Sequence, residues 1–257
     1  MLLAIDSGNT NIVFAVFDGD ALRASWRSSH DIHRTADEYA VWLTQLMSLD
    51  SLTLKDITSV VIANVVPSTH HCLDTLCRRY FDVSPLLVSD PKTVLGIKVL
   101  IDRPDEVGAD RLVNAVAVHD RYKGPIIAMD FGTATTLDVI DGEGNYCGGV
   151  IAPGLDLSLE ALYMAAAKLP RIAVDRPKRV IGTSTVTAMQ SGVFWGYVSL
   201  IEGLVTRIGE EFGAEMTVVA TGGLSGLFSK ASDCIDHHDP ELTLRGLYII
   251  NQLNASK

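Results

Sequence analysis

The stretch IIAMDFGTATT, residues 126–136, repeats a pattern that first occurs at residues 2–10, which read LLAIDSGNT. Each copy is a short apolar run, typical of a buried strand, followed by aspartate, any residue, glycine and polar residues. A second β-rich run and a turn follow, Ile12–Phe17 with Asp18-Gly19 and Leu137–Ile140 with Asp141-Gly142. The turns align with a one-residue gap, which a hairpin or β-bulge accommodates. The repeat therefore predicts a duplicated α/β unit whose halves join near residues 115–125.

The rest of each half alternates between strand and helix patterns. Thr35 and Glu38 form a capping-box pattern, which predicts a helix reaching about Leu49. Further strands are expected at Leu22–Ser28, Thr58–Val65, Pro85–Val88, Tyr146–Ile151 and Met216–Ala220, and further helices at Ser68–Tyr80, Leu112–His119, Leu155–Lys168, Val186–Phe212 and Glu241–Leu253. The glycines of 186–212 indicate a break in that helix or close packing. Such alternation is typical of a largely parallel sheet covered by helices on both faces.

Composition narrows the class of protein. The 257 residues carry a formal charge of −10, and a net anion repels a nucleic-acid backbone. No apolar run approaches the ~18 residues of a membrane span. Four cysteines in a chain of this length predict reduced thiols rather than a disulfide framework. We therefore expect a cytoplasmic globular protein with neither nucleic-acid nor membrane partners.

Common catalytic signatures give no alternative assignment. The sequence contains no P-loop and no G-x-S-x-G motif. His70, His71, Cys72 and Cys77 cluster on one stretch, but no second ligand cluster has matching spacing. This stretch is therefore interpreted as a helix with two half-buried thiols.

The two repeated turns have the chemistry of a phosphate site. Gly8 allows backbone amides to approach an anion, while Asn9 and Thr10 add side-chain donors. Asp6 cannot bind phosphate without an intervening cation, which implies a metal ion. The second copy supplies Asp130 and a run of hydroxyls. The pair predicts a phosphate clamp with two carboxylates at its floor; two ordinary hairpins with satisfied polar turns are the alternative.

A further polar motif, GADR at residues 108–111, stands directly before an apolar helix. Asp110 in that position is either a helix cap stabilised by the helix dipole or a functional carboxylate. Glycine-dense turns at 148–154 and 221–223 follow strands, where α/β folds hold ligands.

Four motifs in this order, DSGNT at 6–10, GADR at 108–111, DFGTATT at 130–136 and TGG at 221–223, resemble those of the type III pantothenate kinases. These are bacterial enzymes of the actin-like ATPase superfamily that begin coenzyme A synthesis. The resemblance implies a duplicated actin-like ATPase (ribonuclease H-like) fold, with halves 1–118 and 119–257 that each contain a mixed sheet flanked by helices. It also implies ATP-dependent phosphorylation of pantothenate to 4'-phosphopantothenate.

The same resemblance implies a role for individual residues. Asp110 is the expected base and Arg111 an anchor for pantothenate, Asp130 the ligand of potassium or ammonium, and Asp6 the carboxylate that meets Mg²⁺ on ATP. The expected ATP-binding residues are Asp6, Ser7, Gly8, Asn9, Thr10, Asn11, Ile12, Val13, Thr133, Thr221, Gly222 and Gly223, and the expected pantothenate-binding residues are Gly108, Ala109, Asp110, Arg111 and Thr185. The sequence departs from the family at Ile101, where many relatives carry a substrate-binding tyrosine.

The resemblance further implies a homodimer with the pantothenate site at or near the dimer contact. Residues 188–204 are apolar around much of a helix, which is consistent with a second buried face. A central helix packed on all sides within one chain is the alternative.

Two other functions stay open at this stage: another kinase or phosphatase of the same superfamily, and a nucleotide-binding regulator without turnover. The GADR motif distinguishes the first, since sugar kinases and polyphosphatases are not expected to carry it there. The retention of Asp6, Asp110 and Asp130 argues against the second.

Overall fold

In a computed structural model, described over residues 1–166 and 169–255, strands and helices alternate largely as the sequence predicts. The strands are β1 Leu2–Ser7, β2 Asn11–Asp18, β3 Ala21–Ser29, β4 Ser59–Asn64, β5 Leu86–Leu87, β6 Ile126–Phe131, β7 Ala134–Ile140, β8 Tyr146–Pro153, β9 Thr217–Gly222 and β10 His237–His238. The helices are α1 Ala36–Leu49, α2 His70–Tyr80, α3 Ala109–Arg121, α4 Leu155–Ala165, α5 Thr185–Phe212, α6 Ser225–Phe228 and α7 Leu242–Ala255.

The duplication is confirmed by the topology of the two sheets. Their strand orders are β3-β2-β1-β4-β5 and β8-β7-β6-β9-β10, so each strand of the first sheet has a counterpart in the second. In both sheets the first three strands pair antiparallel, whereas the fourth runs parallel to the first. The one-residue gap falls in the hairpin loop, because Ser7 pairs with Ile12 and Phe131 pairs with Thr135.

The first compact unit comprises residues 1–98, 102–120 and from 241 onward. Alternate residues of its strands point to opposite faces of the sheet. Leu3 and Ile5 pack with α1 and α2, while Leu2 and Ala4 pack with α3 and α7. Helix α1 begins with the predicted capping box, in which Thr35 and Glu38 each accept the backbone N–H of the other. Both faces of this sheet are therefore covered by helices.

The second compact unit comprises residues 99–101 and 121–240. Ile127 and Met129 of β6 pack with α4, α5 and α6 in one core. Phe228 of α6 lies at the centre of an aromatic group, with ring centroids 5.3 Å from Phe131 and 5.0 Å from Tyr197. The second hairpin is thereby packed directly on helix α5.

These units divide the chain differently from the halves 1–118 and 119–257 that the repeat and the resemblance predict. Helix α7 belongs to the first unit, because Leu247 and Ile250 pack into the core that holds Leu2 and Ala4. Gly246 allows this approach, since a side chain there would collide with the backbone of Val113 in α3. The duplication is thus visible in strand order, whereas the last helix returns to the first sheet.

Helix α5 corrects one expectation about its glycines. It runs unbroken for 28 residues. A Cβ at Gly192 or Gly196 would have no neighbour within 4 Å, whereas one at Gly203 would lie 3.1 Å from Arg207 Nη1. The glycines therefore mark no break, and close contact is found at Gly203 but not at Gly192 or Gly196. The predicted end of α4 at 167–168 lies outside the described residues. Within the described ranges, no helix is long and apolar enough to cross a membrane.

Candidate active site

The first predicted phosphate hairpin joins β1 to β2. The Gly8 N–H donates to the Asn11 carbonyl at 3.0 Å, and a Cβ at Gly8 would lie only 3.3 Å from that oxygen, so glycine suits this tight turn. Asn9, Thr10 and Asn11 are exposed at the turn. The amides and polar side chains of this loop are therefore open to a ligand.

The remaining residues of this hairpin differ in exposure. Asp6 and Val13 are half-buried and pair across the two strands. Ile12 lies in the core, and the Ser7 hydroxyl is buried with no hydrogen-bond partner. Ile12 can meet a nucleotide only through its backbone, so part of the predicted ATP-binding run serves the fold.

The GADR motif begins helix α3 at the same edge of the first sheet. β4 runs parallel to β1, and the Val65 N–H beyond its end donates to the Ser7 carbonyl at 3.1 Å. A Cβ at Gly108 would lie 3.7 Å from Val65 Cγ1. Asp6 and Asp110 therefore belong to one edge of one sheet, as expected if both contact the same pair of substrates.

Asp110 lies in the first turn of α3, one residue after the helix begins. Its Oδ1 accepts the Arg111 N–H at 2.8 Å and occupies the space that a Gly108 side chain would need, 2.5 Å from the ideal Cβ position. Burial raises the pKa of the Asp110 carboxyl, while the N–H and the charge of Arg111 partly offset that rise. Glycine at 108 thus allows the carboxylate to fold back over its own helix start.

The second hairpin has a tight glycine turn like that of the first, one residue shorter. The Gly132 N–H donates to the Ala134 carbonyl at 3.1 Å, as the Gly8 N–H does to Asn11. Thr133 is exposed at the tip, and its carbonyl accepts the Gly154 N–H at 3.2 Å. A side chain at Gly154 would collide with that carbonyl. Gly154, at the start of α4, therefore fixes the position of Thr133, a role that the sequence signalled only as a glycine-dense turn.

Asp130 lies between the second hairpin and the turn after β9. It is half-buried, it is in register with Thr221, and its Oδ1 lies 2.5 Å from the position that a Gly222 Cβ would occupy. Gly222 has φ +90°, a conformation that favours glycine. Thr221 is buried, whereas Gly223 is exposed. The structure thus brings the predicted cation ligand and the predicted nucleotide turn together.

Thr185 is the first residue of α5 and is exposed. Residues 175–183 of the preceding segment line, together with Thr187 and Gln190 of α5, a cavity of about 330 Å³ that carries Arg176, Lys178 and Arg179 beside Asp175. The Ser191 hydroxyl holds this segment by donating to the Val180 carbonyl. No hydrogen bond in the described part of the chain joins Thr185 to the other predicted site residues, and sequence reasoning gave no signal for this cavity.

The carboxylates of Asp6 and Asp130 suit cations that are bound together with a nucleotide. No group of three or more His, Cys, Asp or Glu among the described residues could hold a metal ion. Mg²⁺ retains water and takes one or two protein carboxylates together with substrate phosphates, so a single half-buried Asp6 suits it. Asp130 offers one carboxylate beside the glycine turns at Gly132 and Gly222, and a single carboxylate suits a monovalent cation.

Comparisons with solved structures agree with the fold described above. A Campylobacter jejuni protein provisionally described as a Baf family transcriptional activator has a TM-score of 0.61 at 19% sequence identity, covering 99% of this chain and 100% of that one. A Sinorhizobium meliloti protein provisionally described as a 2-dehydro-3-deoxygalactonokinase has a TM-score of 0.60 at 14% identity, covering 98% and 96%. These similarities concern the fold alone, and the duplicated actin-like fold predicted from the sequence is confirmed.

Sequence comparison is more specific. The profile of the type III pantothenate kinases matches residues 2–207. The type III pantothenate kinase of Paramagnetospirillum magneticum is 64% identical over 256 residues, which cover 100% of this chain and 98% of that protein. The chain therefore belongs to the type III pantothenate kinase family.

Proposed function

We propose that this chain transfers the γ-phosphoryl group of ATP to the primary hydroxyl of pantothenate, giving 4'-phosphopantothenate in the first step of coenzyme A synthesis. Membership of the family supports this reaction. The observation that carries it is the half-buried Asp110 carboxylate, held at the start of α3 beside the edge of the sheet that bears Asp6. A kinase needs a carboxylate at the nucleophile and a cation-binding carboxylate at the phosphates.

Asp110 serves as the base in this mechanism. Its raised pKa makes it a better proton acceptor than an ordinary aspartate. The hydroxyl proton of pantothenate passes to Asp110 as the new O–P bond forms and the bond from the γ-phosphorus to the bridging oxygen breaks. Gly108, Ala109, Arg111 and Thr185 bind pantothenate, with Arg111 as an anchor. Most of the acceleration comes from holding both substrates in line.

The nucleotide is held by the loops at the strand ends. Backbone amides and the exposed Asn9, Thr10 and Asn11 side chains bind phosphate oxygens, and Thr133 contributes from the second hairpin. Asp6 would hold the Mg²⁺ that accompanies ATP, and the ion would neutralise charge on the phosphates. The turn at residues 221–223 lies by the adenosine.

We assign the monovalent cation, potassium or ammonium, to Asp130. A bare carboxylate near the phosphates of ATP would repel them, and a cation held there removes the repulsion. The position of Asp130 supports this assignment, because its Oδ1 lies at the glycine turn, 2.5 Å from the ideal Cβ position of Gly222.

We also propose that the active form is a homodimer. The helix 188–204 is not the support that the sequence suggested, because Phe194, Tyr197, Val198 and Ile201 are buried in the core of their own unit. Support comes from large apolar side chains exposed elsewhere on this unit: Ile151, Leu157, Leu162, Met164, Val180, Ile181 and Val186. Leu157, Leu162 and Met164 share helix α4, and a contiguous exposed apolar patch is typical of a surface that another chain covers.

We place the enzyme in the cytoplasm, where ATP is abundant. Its four cysteines, Cys72, Cys77, Cys147 and Cys234, are free thiols, as is usual in a reducing compartment.

The deciding experiment measures ADP release by the purified chain with Mg·ATP and KCl. We expect release that depends on pantothenate and equals the 4'-phosphopantothenate formed. Sugars and polyphosphate serve as controls for the related kinases and phosphatases. Saturable ATP binding without pantothenate-dependent ADP release would refute the proposal in favour of a nucleotide-binding regulator.

A further inference from the structure

A chain of hydrogen bonds leads from the second unit's sheet edge to the turn after β9. The Ser225 hydroxyl donates to the Gly222 carbonyl at 2.6 Å, and Ser225 is 1% exposed. The Nε2 atom of His238 lies 3.0 Å from the same hydroxyl oxygen. These contacts connect His238 to Gly222 through one buried serine.

The direction of these hydrogen bonds follows from their chemistry. Ser225 has one hydroxyl proton and donates it to the Gly222 carbonyl, so it can only accept from His238. His238 therefore carries a proton on Nε2, which is true of the imidazolium and of one neutral tautomer. The hydrogen-bond chain thus persists whether or not His238 is charged.

The backbone fixes the place of His238. It is in register with Ala220 of β9, and the Asp239 N–H donates to the Ala220 carbonyl at 2.9 Å. The imidazole also lies over Gly226, where a Cβ would be 3.5 Å from Cε1. The ring is therefore held by strand pairing on one side and by helix α6 on the other.

We propose that His238 is a positioning residue for the nucleotide. Acting through Ser225, it fixes the Gly222 carbonyl and with it the left-handed turn at 221–223. This inference rests on the proposed function, in which that turn lies by the adenosine of ATP. His238 itself touches no substrate. Loss of its hydrogen bond allows the turn to reorient and weakens ATP binding, while the pantothenate side is unchanged.

The test compares His238→Ala with His238→Gln and with His237→Ala. The Gln amide nitrogen is as many bonds from Cα as His Nε2, so it restores the donor. His237 is the matched control, because it is exposed like His238 but stacks on Tyr122 at 4.7 Å instead. We expect His238→Ala to raise the Kd of ATP, by calorimetry, and its KM about three- to tenfold. The KM of pantothenate stays constant, and His238→Gln and His237→Ala resemble the native chain.

Ser225→Ala should reproduce the ATP effect, and combining it with His238→Ala should add little, because both interrupt one chain of hydrogen bonds. The inference is overturned if His238→Ala leaves the Kd of ATP unchanged, or if it raises both KM values equally with a lowered Tm, as a structural role would.

Gly223→Val separates this inference from the proposed function. A Cβ at Gly223 meets no atom within 4 Å, so valine there obstructs a ligand without disturbing the fold. If Gly223→Val weakens ATP binding and His238→Ala does not, the proposed nucleotide turn stands and the role of His238 is refuted. If neither variant affects ATP binding, the turn does not hold the nucleotide and both fail.

Discussion

Replacing Gly108 with alanine should displace the Asp110 carboxylate while residue 110 itself is left unchanged. The new methyl group would lie 2.5 Å from Asp110 Oδ1, whereas ordinary van der Waals contact begins at 3.4 Å, so the carboxylate must move by about 0.9 Å. Gly108 has no positive φ that alanine could not adopt, so the backbone tolerates the change. A misplacement of ~1 Å costs on the order of 10²-fold in rate, and we expect a fall of that size in kcat.

The assay is steady-state ADP release with both substrates varied, together with thermal unfolding. We expect the Tm of Gly108→Ala to stay within a few degrees of native, because the strain is confined to one side chain. Gly142→Ala is the matched control: this glycine lies in an exposed turn, its Cβ would meet no atom within 4 Å, and all parameters should remain native.

A double-mutant cycle with Asp110→Asn identifies the route of the effect. If Gly108→Ala acts by moving the base, it should cost little further rate once the base is absent. A native kcat for Gly108→Ala, or a full 10²-fold loss that multiplies with that of Asp110→Asn, would refute this reasoning.

Further outcomes follow from the same geometry. Asp110→Asn should lower kcat by roughly 10²- to 10⁴-fold; a near-native kcat would show that the base lies elsewhere. Because burial raises the Asp110 pKa, the folded chain holds that proton more tightly and loses stability as pH rises past the ordinary value of 3.8. Asp110→Asn should accordingly raise the Tm at pH 7 but not near pH 3, and an equal Tm at pH 7 contradicts this. Activity should require potassium or ammonium, and Asp130→Asn should raise the concentration for half activity; equal rates in sodium and potassium would exclude the assignment. Ile181→Asp, at a side chain 76% exposed, should shift sedimentation towards a ~28 kDa monomer and weaken pantothenate binding, whereas a native chain that turns over as a monomer disproves the dimer.

The strands and their turns could be predicted from the sequence because their causes are local. The apolar runs of β1 and β6, which are buried on both faces, and the paired Asp-x-Gly turns are visible in neighbouring residues alone, so both hairpins were found together with Gly8 and Gly132. The capping box at Thr35 is equally local, since both of its hydrogen bonds span three residues.

The features that sequence reasoning missed depend on contacts between distant segments. Nothing near Gly154 indicates that its missing side chain makes room for the Thr133 carbonyl. His238 meets Ser225 only because β10 pairs with β9, whereas the run His237-His238-Asp239 taken alone indicates a polar loop. Helix α5 shows the opposite error. Its glycines suggested an interruption, whereas the helix is continuous and places Phe194, Tyr197 and Ile201 in the core.

The return of α7 to the first sheet has a consequence for synthesis on the ribosome. Leu2 and Ala4 emerge well before Leu247 and Ile250, which cover them and emerge only after the whole of 121–240. Domains generally fold in the order in which they are made. The first unit therefore cannot complete its fold until α7 is made, and one apolar face of its sheet stays partly uncovered until then. The second unit has all of its own residues available earlier. Between the synthesis of β1 and that of α7, the nascent chain therefore exposes an apolar surface that a chaperone can bind, and the emergence of α7 ends that exposure.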